Sequence, residues 1–153
     1  MIHIYYGFAK GKTTAAIGLG LRAHGAGMKV AMVQFLKDCT SSELKVLPFE
    51  VFKSPESLPF NPGEDYRLWT DSALAYIQST DADMLILDEF LDVIPKFIDL
   101  QKALSLLEDD REIVVTGHNV PPLILEKGDY ITHFEKIRHP YDKGVKARKG
   151  IEF

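Results

Sequence analysis

Short runs of aliphatic, β-branched and aromatic residues alternate along the chain with segments whose apolar positions recur at helical spacing. Ile2 to Tyr6 (IHIYY) predicts a strand ended by Gly7, and Lys12 to His24 predicts a helix stopped by Gly25 and Gly27. Gly18 and Gly20 inside that helix cost about 1 kcal/mol each relative to alanine. Their presence points to close packing against a sheet or a neighbouring backbone. Lys29 to Leu36 (KVAMVQFL) predicts a second strand, apolar on both faces in its middle, and Phe49 to Lys53 a short third. Glu64 to Gln78 predicts a helix, and Met84 to Phe90 (MLILDEF) a buried strand with acidic residues at its end. Leu91 to Leu107 keeps helical spacing, but Pro95 breaks it or confines it to a first turn, and Asp99 suits the cap of a second helix. Glu112 to Thr116 (EIVVT) predicts another strand, Pro121 to Glu126 a short helix, and Tyr130 to Ile137 a last strand.

Strands that are apolar throughout and separated by helices form parallel sheets covered on both faces. The expectation is a three-layer α/β fold with a mostly parallel sheet, one domain over residues 1–153. Hydrophobic residues at 46% and charged ones at 26% suit a soluble globular chain and exclude a disordered one. A net charge of -4 supplies no global basic field, which argues against a nucleic-acid partner. Cys39, the only cysteine, excludes an internal disulfide framework and fits a reducing compartment as an incidental loop residue. No apolar run approaches the ~18 residues of a membrane helix. The lysines of MIHIYYGFAKGK follow the apolar residues, the reverse of a secretory signal, so the expected location is the cytoplasm. Asp38 to Pro62, with Pro48, Pro55 and Pro59, is the least regular stretch and a candidate loop over the active edge.

The first predicted strand runs into GFAKGKTT, Gly7 to Thr14, where a helix begins. A strand, a glycine-bearing turn and a helix opening on Lys-Thr form a phosphate cradle, with turn N–H groups and the positive helix end facing an anion. Lys12 would reach outer phosphate oxygens and the Thr13 hydroxyl a magnesium ion. The loop is one residue shorter than G-x-x-x-x-G-K-[ST], because the glycine stands at Gly7, and Lys10 adds a second positive charge. Asp88 and Glu89 end a buried strand at the carboxyl edge of the sheet, where such folds bind ligands. Magnesium takes one or two carboxylates beside phosphate oxygens; capping of the following helix is the plainer alternative. His118 closes another strand in TGH and would meet a phosphate or hydrogen-bond within its loop. His3, His24 and His133 show no metal-ligand spacing. The tail HPYDKGVKARKGIEF gathers Lys143, Lys146, Arg148 and Lys149, either as a solvated tail or, given Ile151 and Phe153, as a docked terminus.

The segments GFAKGKTTAAIGLGLRAHGAG, VQFLK, SELKVL, LDEF, VTGHNVPPLILE and HPYDKGVKARKGIEF resemble the P-loop family of corrinoid adenosyltransferases, which make adenosylcobalamin from ATP and a reduced corrinoid. The resemblance implies a P-loop NTPase (RecA-like) fold in which the nucleotide lies reversed and its ribose 5′ carbon faces the cobalt. Cobalt(I) attacks that carbon and triphosphate leaves. It further implies Lys12, Lys10, the Gly7-Phe8-Ala9-Lys10-Gly11 backbone, Thr14 and His118 around the nucleotide, with Arg22 of LRAHG as another contact. Thr13 and Glu89 match the family's ligands for Mg2+ (or Mn2+), with Asp88 behind them, and Lys12, Thr13 and Glu89 form the catalytic set. A homodimer and a flavoprotein reductant belong to the same expectation. The chain departs from the family pattern at Phe8 and Ala9, where relatives usually carry Asn and Gly, and at His118, where many have arginine. A Phe-x-Trp element that packs on the corrinoid is not found; Phe60 and Trp69 are the nearest aromatics. The alternative is a P-loop ATPase or nucleotide-binding protein of the same frame without corrinoid adenosylation, which would release phosphate rather than triphosphate.

Overall fold

The computed structural model describes residues 1–37, 40–55 and 62–152; Cys39, Phe60 and Phe153, and with them part of the predicted middle loop, lie outside the described residues. The elements run β1 (Ile2–Tyr6), α1 (Lys12–Gly25), β2 (Val30–Gln34), β3 (Glu50–Phe52), α2 (Glu64–Ser79), β4 (Met84–Asp88), α3 (Leu100–Leu106), β5 (Glu112–Gly117), α4 (Pro122–Leu125) and β6 (Tyr130–His133). Short 3-10 turns cover Ser42–Lys45, Phe90–Val93 and Pro140–Lys143. The strands form a six-stranded sheet in the order β3-β2-β4-β5-β1-β6, and every described pair is parallel.

Alternate residues of the central strands feed two cores, as period-2 side chains must. On one face Ile4, Val33, Leu85, Leu87, Ile113 and Val115 pack with Tyr66, Ala73, Leu74 and Ile77 of α2, Ala103 and Leu106 of α3, and Ile124 of α4. On the other, Met32, Met84, Ile86 and Val114 pack with Ala16 and Ala23 of α1. The expected close approach of α1 holds at Gly20, where a Cβ would lie 2.7 Å from Ile86 Cδ1. It does not hold at Gly18, which has no neighbour within 4 Å.

Three strand ends differ from the sequence expectation by two residues or more. β2 stops at Gln34, because Leu36 takes φ 49 and leaves the strand path. β4 stops at Asp88, because Glu89 takes φ 58 and ψ 20 and starts the Phe90–Val93 turn. β6 stops at His133 rather than Ile137, and all its residues are exposed at the sheet edge. The helical spacing of Leu91 to Leu107 resolves into that turn and α3, whose cap is Asp99: its carboxylate accepts from Gln101 N at 2.8 Å and Lys102 N at 3.4 Å. No described helix is long and apolar enough to cross a membrane. Because all strands run the same way, their carboxyl ends share one edge. β5 lies between β1 and β4 there, so the glycine loop and the acidic strand end flank Thr116 to His118.

Candidate active site

The loop after β1 turns on two glycines at positive φ, Gly7 at 119 and Gly11 at 116. A side chain at Gly7 is barred twice over: the backbone lies where L residues rarely go, and a Cβ would meet the Phe134 carbonyl oxygen at 2.3 Å. The Gly7 N–H donates to the carbonyls of Gly117 and His118, both at 3.1 Å, tying the loop to the end of β5. Among the described residues the non-glycine positions at positive φ are Leu36 and Glu89, so Ala9 keeps an ordinary backbone without glycine's freedom. Lys12 is buried and folds over the loop, its Nζ donating to Gly7 O at 2.7 Å and Ala9 O at 3.0 Å. Gly11 stands at the N-cap of α1 and supplies no side-chain bond, which leaves the N–H groups of the helix's first turn to a ligand.

Opposite the loop, Asp88 is fully buried and fully used. Its Oδ1 accepts from Thr13 Oγ1 at 2.9 Å and Thr116 Oγ1 at 2.8 Å, and its Oδ2 from Lys37 Nζ at 2.6 Å. Lys37 Nζ also donates to Thr13 Oγ1 at 2.7 Å and stands 3.5 Å from Glu89 Oε1. Burial pulls the Lys37 ammonium down, but Asp88 and Glu89 outweigh it and hold the charge above its ordinary range. The Glu89 N–H donates to Thr116 Oγ1 at 2.8 Å, and its side chain makes no cap bond to the following turn. Burial, a hydrogen bond with Asp92 and the charge of Asp88 push the Glu89 carboxyl up to about 7. Burial pushes Asp92 up as well, yet hydrogen bonds from Glu89 and His118 leave it below its usual value. His118 donates its backbone N–H to Asp92 Oδ1 at 3.0 Å and sets Nδ1 2.8 Å from Asp92 Oδ2. Its ring lies 5.2 Å from that of Phe8, centroid to centroid.

A cavity of about 640 Å³ opens here, lined by Ala9 to Thr14, Ile17, Lys37, Ser41 to Glu43, Glu89, and Gly150 to Glu152. The tail is therefore docked at least through Glu152: the Ile151 carbonyl accepts from Lys10 Nζ, and Glu152 pairs with Arg148 at 3.1 Å. Of the residues singled out from sequence, Ala9, Lys10, Gly11, Lys12, Thr13, Thr14 and Glu89 line the cavity. Gly7 and Asp88 are not in the lining but bond to it, Gly7 through Lys12 and Asp88 through Thr13 and Lys37; Phe8 is exposed, and His118 is engaged with Asp92. Arg22 sits in the last turn of α1 and does not line the cavity. A second cavity of about 400 Å³, lined by His24, Lys29, Phe49 and Asp81 among others, holds none of these residues.

Lys37, Asp92 and the Thr116 hydroxyl escaped sequence reasoning as site residues. Lys37 closes VQFLK just beyond β2, a strand neighbouring β4, and its position at a strand's carboxyl end was the available signal. The oxygens of Thr13, Asp88 and Glu89 surround a point where an ammonium already sits, so this donor set suits a hard divalent cation such as Mg2+ or Mn2+. Glu89, Asp92 and His118 form a further group whose ligand atoms lie within 4.8 Å of one another.

A glycine loop at the start of α1, an acidic strand end facing it and a parallel sheet sandwiched between helices define a P-loop nucleotide-binding protein of the three-layer, RecA-like kind. The family model described as ATP:corrinoid adenosyltransferase BtuR/CobO/CobP matches residues 1–153, and the chain belongs to that family. It is similar to the corrinoid adenosyltransferase of Pseudomonas aeruginosa, at 29% identity over 98% of this chain and 82% of the relative. It is similar also to that of Escherichia coli K12, at 27% identity over 100% and 85%. A corrinoid adenosyltransferase from Sinorhizobium sp is 30% identical over 100% of this chain and 80% of its own length.

Proposed function

We propose that this site transfers the 5′-deoxyadenosyl group of ATP to cobalt(I) of a corrinoid, with inorganic triphosphate as the leaving group. The observation that carries the reading is the cavity itself: one wall is the family's glycine loop with Lys10 and Lys12, and the facing wall is Lys37 and Glu89. Cobalt(I) is a strong nucleophile, so the reaction asks no side-chain base of the protein. The corrinoid's electron pair forms the cobalt–carbon bond, the C5′–O bond breaks, and its electrons leave on the triphosphate. The protein's part is to fix C5′ toward the metal and to stabilise the negative charge that collects on the leaving group. Lys12 gives up its loop carbonyls to bind phosphate oxygens, and Lys10 and the first-turn N–H groups of α1 hold the remainder. Thr13 and Glu89 are the ligands for Mg2+, with Asp88 orienting the Thr13 hydroxyl; the bound ion supplies charge neutralisation on the triphosphate.

The docked tail favours a closed phosphate end, since Gly150 to Glu152 face the loop. The setting we assign is the cytoplasm, with a homodimer and a flavoprotein as electron donor. The test is anaerobic incubation of the full chain with ATP, Mg2+ and either cob(I)alamin or a corrinoid lacking the lower ligand. Adenosylated corrinoid and triphosphate in equal amounts are expected. Release of phosphate without a cobalt–carbon product would refute it.

A further inference from the structure

We propose that Lys37 is a resident cation that holds the metal position in the nucleotide-free protein and passes to the triphosphate when the metal ion binds, so that metal and nucleotide load together. The inference rests on the reading of Thr13 and Glu89 as metal ligands. Lys37 Nζ lies 2.6 Å from Asp88 Oδ2, 2.7 Å from Thr13 Oγ1 and 3.5 Å from Glu89 Oε1, among the oxygens that suit a divalent ion. The two arrangements exclude each other. Thr13 gives its hydroxyl proton to Asp88 at 2.9 Å and one of its two lone pairs to Lys37, so a metal ion on the same oxygen would stand directly beside the ammonium. Two cations sharing these oxygens at roughly 2–3 Å would also repel each other strongly.

Only the Lys37 side chain has to move. The backbone just before it is pinned: Phe35 N donates to Asp88 O at 2.9 Å and Leu36 N to the Tyr66 hydroxyl at 2.7 Å. The side chain is partly exposed and lines the same cavity as Lys12, so its head stays within the site when it turns. Without nucleotide the cavity offers a displaced ammonium the single carboxylate of Glu43, whereas a bound triphosphate offers several negative charges at once. Nucleotide therefore raises metal affinity, and metal raises nucleotide affinity by the same factor.

The measurement is Mn2+ binding by electron paramagnetic resonance on the full chain, with and without ATP. The unaltered protein is expected to bind Mn2+ weakly alone and far more tightly with ATP. Lys37→Met is expected to bind Mn2+ alone about 10-fold tighter or more, and to lose most of the gain from ATP; Lys37→Arg, which keeps the charge, should behave like the parent. Equal or weaker Mn2+ binding by Lys37→Met overturns the inference. So does a large rise in the melting temperature of the unaltered protein on adding Mn2+ alone, a reading that needs no variant to fold. Thr13→Val separates the two levels. If it loses Mn2+ in the presence of ATP, the metal reading stands and an unresponsive Lys37→Met refutes the exchange alone.

Discussion

Glu89→Gln should make the nucleotide-free protein more stable above neutral pH while removing its use of metal. The Glu89 carboxyl is buried against Asp88 and Asp92, and its proton comes off near 7 instead of 4.5. A rise of that size corresponds to roughly 3 kcal/mol of penalty for ionising in the folded state. The sign follows from the folded protein holding the proton more tightly than the unfolded chain. The contribution of Glu89 is fully present below about 4.5 and is lost as pH rises through about 7. The depressed Asp92 acts with the opposite sign, its contribution being present above the unfolded value of 3.8 and lost as pH falls through its lower folded value, outside this window. Glutamine keeps the shape and can donate to Asp92 at every pH, but it gives up the attraction to Lys37 at 3.5 Å. The net gain at pH 8 is then about 1–3 kcal/mol, at about 2–4 °C per kcal/mol for a chain of this size. Urea unfolding in the presence of a chelator, at pH steps from 5 to 8, reads the difference between the two proteins. If that difference stays flat across the range, Glu89 is not the proton-holding group and the burial reasoning is wrong.

Lys12→Ala should abolish turnover and weaken ATP binding by at least about 10-fold, with stability lowered by about 1–2 kcal/mol because the Gly7 and Ala9 carbonyls lose their donor; calorimetric titration with ATP and a melting curve check both. Gly7→Ala forces a Cβ onto the Phe134 carbonyl and should cost about 1–3 kcal/mol or more along with nucleotide binding, read by denaturation and the same titration. Asp99→Ala removes the α3 cap far from the cavity, so about 1 kcal/mol of stability should go while adenosyl transfer at a permissive temperature is unaltered.

Much of the fold was legible because the sheet is parallel and buried on both faces. IHIYY, VAMVQ, MLILD and EIVVTG stand out as apolar runs, and the helices between them carry ordinary stops. Two of the boundaries that shifted, those of β2 and β4, did so where non-glycine residues enter the left-handed region, at Leu36 and Glu89, a conformation that no local signal announces. The phosphate loop was readable because its chemistry is contiguous in sequence. Of the cation-holding wall Asp88 and Glu89 were readable but Lys37 and Thr116 were not, since they meet Asp88 only once β2, β4 and β5 lie side by side. The close approach that fixes Gly20 is likewise a property of packing, and the same reasoning applied to Gly18 found no neighbour.

The strand that leads into the phosphate loop precedes the other five described strands in sequence, yet both its neighbours come from far along the chain: Ile2 is in register with Ile113, and His3 with Tyr130. β2, β3 and β4 can associate early, but β1 finds its place only after β5 and β6 have left the ribosome. The Phe134 carbonyl that walls in Gly7 arrives later still. Such distant pairing makes for slow closure. A nascent chain cut short of Phe134 would therefore have made every residue of the glycine loop and still have no competent grip on a nucleotide.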